Sequence, residues 1–194
     1  MIIVFDFDKT LINKDSLFGF YKQVCVQTPK FIIKRYILIL FAVLYKMKLI
    51  NNTQLKRIGV SLFLKGKSIE EIMNHANEYA KKLQLNEIHN ECYLKYHNSN
   101  HQCLIVSAGL HEYIARLFSS ELVIASKLAY RDGNVCGLKT NLYGKHKVME
   151  LKKLGYNEVD ILYTDSFADK PLMAIAKKVY IVKRGQIVSQ FVSK

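Results

Sequence analysis

The sequence predicts an α/β fold: a doubly wound, Rossmann-like parallel sheet with a helical segment inserted after its first strand. Three observations carry this expectation. Short apolar runs alternate with helical patterns through most of the chain. That alternation lapses between about Ser16 and His97, where helical patterns follow one another directly. The first apolar run ends in two acids, Asp6 and Asp8.

The runs Ile2–Phe5, Cys103–Val106, Leu122–Ala125, Asp160–Tyr163 and Val179–Val182 have the length and branched-residue content of buried parallel strands. Helical patterns lie between them at Gly109–Phe118, Lys145–Leu154 and Pro171–Ala176. Such alternation builds a parallel sheet covered on both faces, with chemistry at the carboxyl ends of the strands. Arg131-Asp132-Gly133-Asn134 supplies a tight turn, so a small hairpin is expected over Tyr130–Cys136. In the inserted stretch, Thr53 is placed to cap one helix, and Ser68 with Glu71 forms a capping-box pattern for the next. The expected division is a catalytic core of residues 1–14 and 98–194, with a helical cap of residues 15–97.

With 194 residues, half of them apolar, the chain can bury a sizeable core. Its formal net charge of +13 favours anionic partners: phosphorylated metabolites, acidic lipid surfaces or nucleic acid. No interleaved aromatic–basic pattern of a nucleic-acid module stands out. Cys25, Cys92, Cys103 and Cys136 are widely spaced with no CxxC pair, which argues against a disulfide framework or zinc site and for a reducing compartment. The amino terminus is apolar only as far as Phe5 and does not resemble a secretory signal.

Four segments carry chemistry. In Val4-Phe-Asp6-Phe-Asp8-Lys9-Thr10, the strand ends in two carboxylates at i and i+2 followed by a hydroxyl. One acid there can attack phosphorus while the other handles a proton, and both can influence a bound magnesium ion. In Val106-Ser107-Ala108-Gly109, a hydroxyl and small residues offer donors to a phosphate oxygen. Gly144-Lys145-His146-Lys147 places cations where they can neutralise a phosphoryl group. Thr164-Asp165-Ser-Phe-Ala-Asp169 ends a later strand with two acids whose hard oxygens suit magnesium. The spacing of His97 and His101 can suggest a metal pair, but Asn98-Ser-Asn100 between them reads as a loop.

In this order the four segments resemble the motifs of the haloacid dehalogenase superfamily across nearly the whole chain. The resemblance implies a magnesium-dependent phosphohydrolase. Asp6 would be the nucleophile, forming an aspartyl-phosphate. Asp8 would act as general acid and base, and its presence points to phosphoryl chemistry because the true dehalogenases lack an acid there. Magnesium would lie between the Asp6 carboxylate, the Asp8 carbonyl and Asp165, with Asp169 acting directly or through a water. Ser107, with Ala108, Gly109 and Thr10, would contact the phosphate. The family pattern Gly-x-x-Lys-Val selects Lys147 as the phosphate-binding lysine, with Lys145 as the alternative.

The inserted helices are similar to the helical cap (C1 type, subfamily IB) of the phosphoserine-phosphatase-like branch, which includes bacterial phosphatidylglycerophosphate phosphatases. Asp15 falls where phosphoserine phosphatases carry a glutamate for the substrate amine, and Arg57 lies near their carboxylate-binding arginine. The loop Thr164–Asp169 departs from the Gly-Asp-Gly-x-Asn-Asp form usual in that branch.

No aspartate or glutamate occurs from Ser16 to Ile69, whereas cations recur, and the run Tyr36–Tyr45 is apolar all round. Its ten residues rise only ~15 Å as a helix, against a hydrocarbon core of ~30 Å, which disfavours a membrane span. Two readings stand: a helix at the membrane surface with snorkelling cations, or a cap helix packed against its neighbours. The expected substrate is accordingly a lipid-linked or membrane-proximal phosphate. A soluble phosphoserine or other small phosphorylated metabolite is the alternative, and a non-catalytic basic binding module the alternative of another class. The expected location is the cytoplasm, with peripheral contact at the inner face of the membrane and no nucleic-acid partner.

Overall fold

A computed structural model describes residues 1–25, 30–118 and 122–192. In chain order the elements are β1 (Ile2–Phe5), α1 (Leu17–Cys25), α2 (Phe31–Lys46), α3 (Asn52–Phe63), α4 (Ile69–Lys82), a π-helical segment (Ile88–Tyr93) running into α5 (Leu94–Asn98), β2 (Gln102–Leu110), α6 (His111–Ile114), β3 (Val123–Arg131), β4 (Asn134–Thr140), α7 (Lys145–Lys153), β5 (Val159–Thr164), α8 (Lys170–Met173), β6 (Ala176–Lys183) and β7 (Gln186–Val192).

The seven strands form one sheet in the order β4-β3-β2-β1-β5-β6-β7. The five central strands run parallel. β4 and β7 are antiparallel hairpin partners of β3 and β6 and close the two edges. The expected parallel core is therefore present, inside a mixed sheet. The β3–β4 turn uses Asp132 and Gly133, both with positive φ (48° and 74°), as a two-residue hairpin loop requires. Arg184 and Gly185, with φ of 51° and 77°, make the equivalent turn before β7. β7 was not among the expected strands, because its seven residues are all exposed and show no buried alternation.

Strand alternation divides the core. Ile3 and Phe5 point to the face covered by the helical segment between β1 and β2, in one apolar cluster with Phe20, Phe63, Ile72 and Tyr113. Val4 points to the opposite face with Leu104, Leu162 and Val179, under residues of α7 and α8 such as Leu151 and Leu172.

Local chemistry corrects three expectations. Asn51, not Thr53, caps α3, because its side chain accepts from the Gln54 amide while Gln54 returns a bond to the Asn51 amide. Ser68 does cap α4, but the Glu71 side chain pairs with Lys67 instead of closing the box. The helix expected from Gly109 to Phe118 is shorter: β2 continues to Leu110, and one helical turn follows at His111–Ile114. The Gly109 amide donates to Ser107 Oγ at 2.9 Å, and the β2–β3 register shifts there. Among the described residues, no helix is long and apolar enough to cross a membrane.

Candidate active site

The carboxyl ends of β1, β2 and β5 open into one cavity of ≈ 200 Å³. Asp6, Asp8, Lys9, Asp15, Ser107, Ala108, Gly109, Lys147, Asp165 and Asp169 all line it. The four motif segments, spread over more than 160 residues of sequence, thus meet at one point, because β1 is central in the sheet with β2 and β5 as its neighbours.

Asp6 is the first residue after β1 and is held by its amide, which donates to the Tyr163 carbonyl at 2.9 Å. Its carboxylate accepts from the Phe7 amide at 2.8 Å and lies 3.0 Å from the Lys147 ammonium. Burial pushes the Asp6 carboxyl up to about 7; Lys147 works against this, while Asp169 and Asp165 add to it. Asp8 is also pushed up to about 7, first by burial and then by Asp15, although its Oδ1 accepts from the Ser16 amide at 2.9 Å. The turn between Asp8 and Ser16 is fixed from below: Ser16 Oγ sits 2.6 Å from the Tyr113 hydroxyl, and Tyr79 donates to the Ser16 carbonyl at 2.7 Å. Tyr113 in turn needs Gly109, since a Cβ there would lie 2.8 Å from its hydroxyl.

Lys147 is buried on the inner face of α7, one turn ahead of buried Leu151. Its ammonium contacts Asp6 and donates to Asp169 at 2.8 Å, and these two acids hold its pKa above the usual lysine range despite burial. Lys145 and His146 on the same helix are exposed. The helix starts at Gly144, whose φ of 57° and ψ of −122° suit glycine alone. Asp169 accepts from Thr164 Oγ1 at 2.9 Å as well as from Lys147. Asp165 is half-buried and less committed; burial raises its pKa, Lys9 lowers it, and Asp169 raises it again.

Two expected substrate contacts lie elsewhere. Thr10 is fully buried and absent from the cavity wall, and its Oγ1 has no hydrogen-bond partner among the described residues. Arg57 is exposed and lines a separate depression with Lys139 and Glu150. The cation that α3 sends into the cavity is Lys56, which is 6% exposed. Its ammonium donates to the Ala108 carbonyl, to Asn141 Oδ1 and to Ser126 Oγ. Burial lowers its pKa to about 8 against the pull of Asp8 and Asp15. Asn141 also donates to Asn52 and Thr53, so one network ties α3 to the ends of β2, β3 and β4. Lys56 belongs to no motif. Its signal is the spacing Lys56-Gly59-Val60-Phe63, the buried stripe of α3, which puts Arg57 on the outer side. Ser16, Tyr113, Asn141 and the wall residue Tyr143 carry no comparable pattern. His97 stacks on Tyr93 and His101 lies tilted against Tyr96, and neither lines the cavity.

Five carboxylates line this cavity against three ammonium groups, in a chain whose overall charge is strongly positive. A local surplus of hard anionic oxygens fits a divalent cation such as magnesium. Among the described residues, no three acidic, histidine or cysteine side chains converge on a common point, so a bound ion would need main-chain oxygen or water as well.

Residues 3–174 match the family model described as haloacid dehalogenase-like hydrolase. Protein CicA of Caulobacter vibrioides is 27% identical over 198 residues, spanning 96% of this chain and 88% of that protein. Among solved structures, a phosphoserine phosphohydrolase-like protein from Francisella tularensis superposes with a TM-score of 0.68 at 22% identity, covering 93% and 86% of the two chains. A protein of unknown function from Bordetella pertussis gives 0.74 at 21% identity, covering 89% and 85%. A phosphoserine phosphatase captured as an analogue of its phospho-aspartyl intermediate gives 0.65 at 18% identity, covering 92% and 84%.

Proposed function

The chain belongs to the haloacid dehalogenase-like hydrolases, and from that premise we propose that it is a phosphomonoester hydrolase working through an aspartyl-phosphate. The observation that carries the proposal is the convergence of Asp6, Asp8, Ser107, Lys147 and Asp165 on one cavity at the carboxyl ends of three adjacent strands.

In this reading an Asp6 oxygen attacks phosphorus, forming the aspartyl P–O bond as the ester P–O bond breaks. Asp8, with a pKa near neutrality, gives its proton to the departing alkoxide and then takes one from the water that releases phosphate. Lys147 stabilises the equatorial oxygens and favours the ionised form of Asp6 against its burial, and Ser107 holds one phosphate oxygen. Asp169, occupied by Thr164 and Lys147, positions that lysine. Asp6, Asp165 and the Asp8 carbonyl would hold magnesium, which when bound neutralises charge on the phosphoryl group.

The favoured substrate is a lipid-linked or membrane-proximal phosphate, supported by the basic, acid-free sequence from Ser16 to Ile69. A soluble phosphoserine-like metabolite is the second reading. Asp15 and Lys56 both line the cavity, and they could take the amine and the carboxylate of such a molecule. The two separate in one assay: phosphate release from lipid phosphates and soluble phosphomonoesters, with magnesium and then with chelator. Release that ignores chelator, or full activity in Asp6→Asn, overturns the mechanism. Activity confined to phosphoserine overturns the lipid preference.

A further inference from the structure

The helix α2 has its amphipathicity turned outward. Of its sixteen residues only Phe31 is buried. Ile32, Ile33, Tyr36, Ile39, Leu40 and Val43 are 63, 63, 67, 46, 59 and 47% exposed, and Met47 just beyond the helix is 62% exposed. At helical spacing these positions fall within an arc of about 120°, so they form one continuous apolar stripe ~24 Å long. A surface helix ordinarily shows polar residues on that arc. The inner side of α2 packs against α3, with Phe31 5.9 Å from Phe63 ring to ring.

The margins of the stripe are cationic. Arg35 and Lys46 are exposed along one side, and Lys30 and Lys48 stand at the two ends. No acid occurs anywhere from Ser16 to Ile69. A second copy of this chain would bring these cations against their own kind, which disfavours self-association through the stripe. An anionic bilayer offers both complements at once: acyl chains for the stripe and headgroup charge for its margins.

We propose that α2 is a docking face for an anionic lipid surface, lying in the membrane plane with this stripe in the headgroup–acyl boundary. Tyr45, near the carboxyl end of α2, lines one depression together with Tyr143, which is also a wall residue of the catalytic cavity. Docking therefore brings the rim of that cavity close to the lipid surface. The docking itself stands apart from the catalytic reading, because it requires no turnover.

The test is co-sedimentation of the full chain with phosphatidylcholine vesicles, with and without phosphatidylglycerol. The wild-type chain is expected to pellet with the anionic vesicles, to stay in solution with the neutral ones, and to be released by salt. Tyr36→Gln/Leu40→Gln/Val43→Gln alters only exposed positions and should cut the bound fraction about tenfold while the melting temperature is retained. Arg35→Gln/Lys46→Gln is expected to weaken binding and its salt dependence together. Wild-type protein that ignores anionic vesicles, or unchanged binding by the triple variant, overturns the proposal. So does a lipid-free dimer in sedimentation velocity that the triple variant abolishes, because the stripe would then be covered by a second copy. Hydrolysis of p-nitrophenyl phosphate, measured alongside, reports on the catalytic reading alone. Its failure with binding intact removes that reading and leaves the docking face.

Discussion

The Lys147 ammonium lies 3.0 Å from the Asp6 carboxylate, and both groups are almost wholly buried. Breaking such a pair from one side leaves an uncompensated charge, at a cost of about 3–5 kcal/mol. Lys147→Met is therefore expected to be strongly destabilised as well as inactive. The pH dependence gives a sharper check. Asp6 already titrates above its unfolded value, at about 7, with Lys147 pulling it down. Without that lysine its folded pKa rises further. A carboxyl whose folded pKa is raised lowers stability as pH climbs through the interval between its unfolded and folded values. The deficit of the variant relative to wild type should then be largest at pH 8 and shrink towards pH 5 in urea unfolding. A deficit constant across that range would show that Lys147 does not govern the ionisation of Asp6.

Metal affinity should follow the same carboxylates. Asp6 is pushed up to about 7, and Asp165 is raised by burial, so an incoming cation displaces protons near neutrality. Magnesium affinity is expected to fall by up to about tenfold per pH unit for each displaced proton below pH 7. Titration calorimetry in two buffers of different ionisation enthalpy, at pH 6.5, should register proton release. An affinity flat from pH 6 to pH 8 would remove Asp6 and Asp165 from the ligand set.

Sequence pattern alone placed the five central strands and brought the four motif segments together, for a physical reason. Buried parallel strands read as short apolar runs, and the acids follow directly where those runs end. Lys147 was legible through its motif, and the fold adds that Lys147 faces inward while Lys145 remains in water. Thr10 and Arg57 do not line the cavity, because a residue's neighbourhood in sequence does not fix the direction of its side chain. Thr10 is fully buried, and Arg57 sits about 100° around the helix from Lys56. The Ser16–Tyr113 contact joins residues 97 apart and could not be read from either segment. The outward stripe of α2 was hidden for another reason: the run is apolar all round, so periodicity could not say which side faces the protein.

Lys56 is expected to act where Arg57 does not. Its ammonium, buried against Ala108, Ser126 and Asn141, faces the cavity beside Asp8 and Asp15. Lys56→Met removes hydrogen bonds from a charged donor, each worth about 1.5–3 kcal/mol. It should raise KM for a phosphomonoester about tenfold or more, with a smaller change in kcat, if the cation holds substrate. Arg57→Met should leave both constants within about twofold, as exposed substitutions away from the site usually do. Equal effects of the two substitutions would mean that the electrostatic field of α3, not the placement of Lys56, is what substrate senses.

Asp8 owes its position to a residue that carries no chemistry of its own. The Ser16 amide holds the Asp8 carboxylate at 2.9 Å, and Ser16 is held by the hydroxyls of Tyr113 and Tyr79. Tyr113→Phe removes one of these hydroxyls and leaves Ser16 Oγ buried without that partner, a loss of about 1–3 kcal/mol. Ser16→Ala leaves the Tyr113 hydroxyl in the same condition. The double variant replaces both partners by apolar groups, so it should be less destabilised than the sum of the singles, with a coupling of about 0.5–3 kcal/mol. Because the loop carrying Asp8 loosens in each case, kcat should fall while the pH midpoint for Asp8 moves. A cycle with no coupling energy, or single variants with unchanged kcat and pH profile, would show that this hydroxyl pair does not support the Asp8 loop.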